Sequence, residues 1–581
     1  MEIPGSRIFG RILLGFIWAL PVIGALYVVW RYCVPFPFWD QWDSPGGQLA
    51  SYYRGTLGWA ELFSQHNESR AFFPRLAYLA MTIASGAWDT RNQIAWTLLW
   101  ACGGSLGLYM ILRQTSPLSR AVPFAFAAIN FLLFSPRQYQ NFLDPLISEA
   151  FIPGVTLILA LWMNLTGRSF RTKTLVNAGL AFFATYTFAN GMLVWVLGFP
   201  LTSAGPPRVR DRRQILWTSV YLALAAIALG FYFASYRHPP LSPPFVSPLT
   251  RLPELFSFLL VWIGSVFSLG PPDVLGGFIL ILFTGLVIAA VVQARRKTAE
   301  WRRYYPWLVL GCYALISGCV VALGRLGFGA SMAGDARYTA SSVFLYIAVA
   351  GLGFTLLART DERRRAPAIT WLAVTGSVLL LILCWVVTFQ KERRIWRRLA
   401  RWSGHLSLVV RWSEAIPQNP DLVFLSPYPL PETARTIRTL SERDILRPRL
   451  VGPALASAVR EIPAEQSPNA GRLEEVKGDT HSRLFCRGWA WIPEQNRAAD
   501  CVVLGWEKSD GRLDPLYVVE TGGKRSDLVP QIGAAHSSAG FSATLDARTL
   551  PENATIRAWA IDLKTEQAFP MDGAVKLPLH R

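Results

Sequence analysis

Apolar stretches of near-spanning length recur from the N-terminus to about residue 390 and then stop. A helix crosses the hydrocarbon core with about 20 such residues, each adding about 1.5 Å. On that measure spans are expected near 11–31, 94–112, 120–135, 150–166, 174–188, 191–204, 215–235, 273–293, 305–323, 340–358 and 368–389. That makes about eleven crossings. The stretch 174–204 is barely long enough for two, and its basic flanks predict two short helices joined at Phe188-Ala189-Asn190-Gly191. The run Glu254-Leu255-Phe256-Ser257-Phe258-Leu259-Leu260 opens a segment, 254–269, expected to lie on or dip into one leaflet.

Beyond 390 the pattern changes twice. Residues 391–470 read as a mixed connector, with a helix at 391–415, a short strand at Leu422-Val423-Phe424-Leu425 and a second helix near 431–445. Residues 471–581 alternate apolar and polar positions in short runs, such as Leu484-Phe485-Cys486-Arg487-Gly488-Trp489 and Thr555-Ile556-Arg557-Ala558-Trp559. Gly, Asp, Pro and Asn separate these runs, which predicts a small antiparallel β-sandwich with its tryptophans in the core. The expected fold class is therefore mainly α, a polytopic membrane domain over 1–390, followed by a connector and a soluble sandwich.

Composition agrees: 52% of residues are hydrophobic and 16% charged. Lys and Arg (57) exceed Asp and Glu (38), for a net charge of +19. Arg168, Arg171, Lys173, Arg208, Arg210, Arg212, Arg213, Arg295, Arg296 and Lys297 sit in short loops that fall on one face when the N-terminus is cytoplasmic. That bias places the long loop 32–93 and everything after 390 outside the cytoplasm. The cluster Arg393, Arg394, Arg397, Arg398 and Arg401 runs against it, and reads as an interfacial helix touching anionic lipid headgroups. Basic residues scattered over membrane loops exclude a nucleic-acid partner. The first span has a charged start but no small-x-small cleavage site, and is expected to be retained. Cys486 and Cys501, on apparently adjacent strands of an external domain, are a structural disulfide candidate.

None of the span interiors carries a clear mid-membrane charge, which argues against an ion-coupled transporter. The acids collect in the outer loops instead, beginning with Phe38-Trp39-Asp40-Gln41-Trp42-Asp43 and continuing at His66-Asn67-Glu68-Ser69-Arg70 and Pro74-Arg75. Outer-side cations include Arg325 and Arg337, the latter beside Tyr338. A carboxylate after the first span and arginines in later outer loops are what sugar transfer from a lipid-linked phosphate requires. A carboxylate accepts the acceptor's hydroxyl proton, and guanidinium groups match the departing phosphate. Asp40 and Asp43 are the candidate bases. His66, Glu68, Arg70, Arg75, Tyr139, Asn141, Arg325, Arg337 and Tyr338 are candidate substrate contacts. Asp40, Asp43 and Glu68 supply oxygens suited to a divalent cation, Mg or Mn, although their spacing does not demand one.

This arrangement resembles the GT-C superfamily of polyprenyl-phosphate-sugar glycosyltransferases. The shared features are a cytoplasmic N-terminus, a long first outer loop opening with Asp40, and a soluble outer C-terminal domain. Trp39-Asp40-Gln41-Trp42 and His66-Asn67-Glu68-Ser69-Arg70 are similar to poorly characterised bacterial membrane proteins with Trp-Asp-Glu-Trp and His-Asn-Glu-His-Arg segments. The departures fall at Gln41 and Ser69. Phe134-Ser135-Pro136-Arg137-Gln138-Tyr139-Gln140-Asn141 is a partial further match. The resemblance covers roughly 1–390 and implies an enzyme of the bacterial plasma membrane with Asp40 as base. Its implied partners are a polyprenyl-phosphate-linked sugar, membrane lipids, and a glycan, lipid or protein acceptor. The same residues also fit a non-catalytic scaffold that binds glycan. Asp40 and Asp43 then merely end a span, His66, Glu68, Arg70 and Arg75 brace a loop, and Arg337 anchors a helix end.

Overall fold

The computed structural model describes the chain apart from residues 1–3, 117–121, 203–204, 206–210, 240–241, 244–249, 297–299, 364–367, 462–469, 479–482, 528–536, 552 and 577–581. Among the described residues eight helices are long and apolar enough to cross a membrane. They are Ile12–Tyr32, Thr90–Thr115, Pro145–Leu165, Arg212–Phe233, Pro272–Arg295, Trp301–Phe328, Ala336–Ala358 and Val374–Arg411. Each overlaps an expected span, and the chain is a polytopic membrane protein.

The other three expected spans are shorter. Val122–Leu133 has 12 residues and Phe170–Thr185 has 16. The stretch 191–204 is not a crossing at all: a turn, Ala189–Met192, leads into the five-residue helix Leu193–Leu197 and stops at Gly198. The cause lies in side chains remote from the stretch itself. Asn177 donates to the Gly198 carbonyl (2.8 Å), and Asn164 donates to that of Phe199 (2.8 Å) and accepts from the Leu201 N–H (3.1 Å). Two buried asparagines thus satisfy the backbone groups that a broken helix leaves open. Gly191 permits the reversal, because a Cβ there would lie 2.0 Å from the Ala184 carbonyl oxygen. The apolar helix Leu252–Gly264, at 13 residues, is too short to span.

The chain divides into two compact units. The helical unit comprises Met1–Pro35, Thr56–Ala84 and Asp89–Ala400; the second comprises Phe36–Gly55, Ser85–Trp88 and Arg401–Arg581. The opening of the expected first outer loop therefore folds with the C-terminal segment. Trp42, 1% exposed, meets the rings of Phe36 (5.6 Å) and Trp88 (5.5 Å) edge-on. The Trp88 N–H donates to the Ile445 carbonyl (2.9 Å), and Arg54, ending helix Gly46–Arg54, donates to Thr439 (3.3 Å).

The expected helix at 391–415 is the continuation of the last span, in one 44-residue helix, Ala368–Arg411. The expected strand at 422–425 is instead a 3₁₀ turn, Pro420–Phe424. Pro420 fits its first position, and the Asn419 side chain accepts from the Asp421 N–H (3.0 Å), so local capping overrides β propensity. A helix follows at Leu430–Glu442.

Residues 471–576 form two antiparallel sheets from strands β1 (Gly471–Gly478), β2 (Arg483–Ile492), β3 (Arg497–Ala498), β4 (Cys501–Glu507), β5 (Leu513–Glu520), β6 (Gly540–Asp546), β7 (Thr555–Asp562), β8 (Gln567–Pro570) and β9 (Val575–Lys576). One sheet runs β1-β2-β3 with β6 also on β2, and the other runs β5-β4-β7-β8 with β9 also on β7. Leu484, Cys486 and Phe541 from the first sheet share a core with Val502, Leu504 and Ile556 from the second. Trp506 packs against this core, whereas Trp491 and Trp559 are buried on the other faces of their strands, their neighbours Ala490, Ile492, Ala558 and Ala560 facing the core.

The expected Cys486–Cys501 disulfide does not form: both thiols are free. Their strands belong to different sheets, and Cys486 points into the shared core. Cys501 follows the opposite parity from Val502 and Leu504, and lies on the other face of its sheet beside Trp412. Burial pushes the Cys486 thiol up to about 12 and that of Cys501 higher still, so both are protonated.

Trp88 has no exposed surface and joins Trp42 to the C-terminal segment. Trp88→Ala is expected to destabilise the second unit by about 3–5 kcal/mol. Limited proteolysis should then show new cleavage within 36–55; an unchanged digest would contradict this docking.

Candidate functional site

In the helical unit, three remote stretches meet at Glu68, Ser242 and Arg325. Residues His66–Ser69 close a tight turn in which His66 N–H donates to Ser69 O (2.8 Å) and Ser69 N–H to His66 O (2.9 Å). Asn67 takes the left-handed conformation there (φ 49°), which asparagine tolerates better than most residues. The turn is pinned from outside: the Tyr232 hydroxyl donates to the Glu68 carbonyl (2.6 Å), and the Ser69 hydroxyl accepts from the Ala189 N–H (3.1 Å).

The Glu68 carboxylate is thereby aimed at Arg325, the last residue of helix Trp301–Arg325. Arg325 Nη2 lies 2.8 Å from Glu68 Oε1 and 3.0 Å from Oε2. Ser242 closes a triangle, donating to Glu68 Oε1 (2.8 Å) and accepting from Arg325 Nη1 (3.1 Å). The side chains are 25% and 32% exposed, so the pair is reachable by a ligand and contributes at most about 1 kcal/mol to stability.

A second pair follows a short irregular segment. Asp335 caps the turn Ala336–Tyr338 by accepting from the Arg337 N–H (3.4 Å), and its other oxygen lies 3.2 Å from Arg337 Nε. The Arg337 guanidinium stands 5.2 Å from the centre of the Tyr338 ring, with Nη2 4.0 Å from the Met332 sulfur. The buried Tyr338 hydroxyl has no hydrogen-bond partner among the described residues. Tyr338 lies within electrostatic range of Arg337, Arg325, Asp335 and Glu68, so both pairs are in its neighbourhood.

Tyr139 extends the cluster toward a third pair. It follows the turn Pro136–Gln138, which Ser135 caps by accepting from the Arg137 N–H (3.3 Å). Burial pushes the Tyr139 phenol up to about 12; the Glu392 carboxylate adds to that shift, while Arg137 opposes it. Tyr139 therefore keeps its proton at neutral pH. Arg137 Nη1 pairs with Glu392 Oε1 (2.8 Å), which also accepts from the Ser268 hydroxyl, and Arg137 Nη2 donates to the Gly334 carbonyl (2.6 Å). Glu392 is 1% exposed. Sequence reasoning missed it; the available signal was a lone acid in Lys391-Glu392-Arg393-Arg394, one turn before the apolar Trp396.

Several predicted substrate contacts hold neighbouring structure in place. Arg70 donates to the carbonyls of Tyr232 (2.7 Å), Phe63 (2.8 Å) and Ala234 (2.5 Å). Arg75 is buried and donates to those of Leu62 (2.9 Å) and Ser64 (2.7 Å). Asn141, also buried, donates to the Gln138 side chain (3.4 Å). His66 is buried within its turn. For Arg70 and Arg75, irregular backbone with open carbonyls takes the donor.

Asp40 and Asp43 lie in the second unit. Asp40 is half-buried in the turn Trp39–Trp42, its carbonyl accepting from the N–H groups of Asp43 (3.1 Å) and Ser44 (3.0 Å); Asp43 is exposed. Trp39 is left-handed (φ 56°), a strained conformation for so large a residue. Among the described residues no three His, Cys, Asp or Glu side chains gather with metal-ligand geometry. A cation using Glu68 would have to displace the Arg325 guanidinium.

No family model matches the chain, and no curated protein is similar to it. Among solved structures it is similar to a crystal structure of ArnT from Cupriavidus metallidurans in the apo state. The identity is 13%, over 61% of this chain and 78% of that chain, with a TM-score of 0.24. A likeness that distant adds nothing to what the residues support.

The two kinds of ion pair should respond differently to substitution. Glu392→Ala leaves Arg137 buried without its counter-charge and is expected to cost about 3–5 kcal/mol. Glu68→Gln is expected to cost about 1 kcal/mol or less. Thermal unfolding in nanodiscs checks this, and equal shifts would contradict it.

Proposed function

We propose that the protein is a membrane glycosyltransferase that takes sugar from a polyprenyl-phosphate donor at the outer face of the plasma membrane. The acceptor is a glycan, a lipid or a protein. One observation carries the reading: Glu68, Ser242 and Arg325 meet in one hydrogen-bonded triangle, and the pair Asp335–Arg337 lies within electrostatic range of the same Tyr338. Two guanidinium groups and a phenol at helix ends suit a phosphate held there by its lipid tail. Each arginine is balanced by an acid, so the cluster is neutral before substrate arrives. Arg337, whose Nη2 has no oxygen acceptor among the described residues, is the readier phosphate donor; Arg325 must loosen from Glu68.

The chemistry is a single displacement. The acceptor hydroxyl forms the new bond to the anomeric carbon as that carbon's bond to the phosphate oxygen breaks. The bonding pair leaves with the phosphate, and the hydroxyl proton passes to a carboxylate base, the role that the resemblance of the first outer loop implies for Asp40. The acid-paired state of both arginines also suits a non-catalytic, glycan-binding scaffold, and only turnover separates the two readings.

Transfer of radiolabelled sugar from polyprenyl-phosphate donors, by purified protein in lipid nanodiscs, tests the proposal. Asp40→Asn and Arg337→Ala are each expected to lower turnover by about 100-fold or more while leaving the protein folded. Wild-type turnover in Asp40→Asn would remove Asp40 as the base. No turnover with any donor would favour the scaffold.

A further inference from the structure

The second unit contains a cavity of about 860 Å³ that takes no part in the cluster above. Its walls come from Ser413, Glu414 and Pro417, from Leu422 and Leu425 around the turn Pro420–Phe424, and from one side of helix Leu430–Glu442. On that helix Leu430, Ala434, Ile437 and Ser441 recur at i, i+4, i+7 and i+11, which aligns them in a single stripe. Leu422, Leu425 and Ile437 are buried and form the floor.

The lining indicates what would fill it. It holds no aromatic ring on which a sugar or base could stack, and no buried polar atom lacking a partner that would demand a particular donor or acceptor. Walls of Leu, Ile, Pro and Ala recognise aliphatic carbon and little else. Between Leu422 and Leu425 in the same turn, Val423 (65% exposed) and Phe424 (46%) do not line the groove. At the rim, Arg438 is paired with Glu414 at 3.5 Å, whereas Glu442 has no ion-pair partner among the described residues. The rim is therefore net negative and favours a cationic head. A volume of this order falls within the usual range for small-molecule sites, about 300–1,000 Å³.

We propose that this groove binds the aliphatic chain of an amino-headed amphiphile. The chain lies along Leu422, Leu425 and Ile437, with the ammonium toward Glu442. The inference stands apart from the transferase reading and survives its failure.

The test is photolabelling of the full-length protein in nanodiscs by a dodecylamine carrying a diazirine in its chain, with the labelled residues located by mass spectrometry. Saturable labelling between 413 and 442, competed by unlabelled dodecylamine, is the expected result. Ala434 is exposed at the groove wall, so Ala434→Trp fills the space without entering the core, and should abolish that labelling. Glu442→Gln should weaken competition about threefold, the effect of one exposed charge pair. The proposal is overturned by label confined to the helical unit, or by undiminished labelling in Ala434→Trp. Equal labelling by the matching dodecanoate probe would overturn the choice of an amino head.

Discussion

The buried pair of Arg137 and Glu392 is the constraint around which the irregular end of the helical unit is organised. A carboxylate at 1% exposure is tolerable only with its counter-charge in place, so wherever Glu392 goes Arg137 must follow. Arg137 sits in the turn Pro136–Gln138 and also holds Gly334, the residue before Asp335. Ser268, beyond helix Leu252–Gly264, joins the same carboxylate. One ion pair therefore fixes the long final helix, two loops and the approach to Arg337 and Tyr338.

The same logic runs through the rest of the unit. Where helices stop within a largely apolar bundle, their carbonyls need donors, and long polar side chains supply them. Arg70 and Arg75 serve the loop after the first span, Arg302 the Leu165 carbonyl (2.5 Å), and Asn164 and Asn177 the broken segment at 198–201. Most of these cations and amides hold backbone in place. Against that background Arg325 and Arg337 stand out, because their partners are acids at partly exposed positions.

This division explains what could be read from the sequence. Spans with twenty or so apolar residues were legible because length and hydropathy suffice to recognise them. The stretch 191–204 was not, since the asparagines that end it lie on other helices. Residues 422–425 look like strand until Pro420 and Asn419 are given their capping roles. Cys486 and Cys501 looked paired because alternation reveals parity only once the strands are assigned to sheets. In the site, Glu68, Arg325, Arg337 and Tyr338 were legible as charge and aromatics in loops. Arg70 and Arg75 have the same signature, and only the folded chain brings them to their carbonyl partners. That Asp40 folds with residues some 360 positions later could not be seen, as no local pattern encodes it.

The interleaving of the two units bears on how such a protein is made. The chain enters the second unit at Phe36, leaves after Gly55, re-enters at Ser85, leaves after Trp88 and returns for good at Arg401. Trp42 and Trp88 emerge from the ribosome long before Ile445, the residue whose carbonyl accepts from Trp88. Closure of so distant a contact is entropically slow and waits on every intervening helix. The segment bearing Asp40 consequently reaches its native conformation only after the last span has been synthesised and the C-terminal segment has followed it. Assembly thus has a built-in order: the membrane helices first, and the Asp40 segment among the last parts to form.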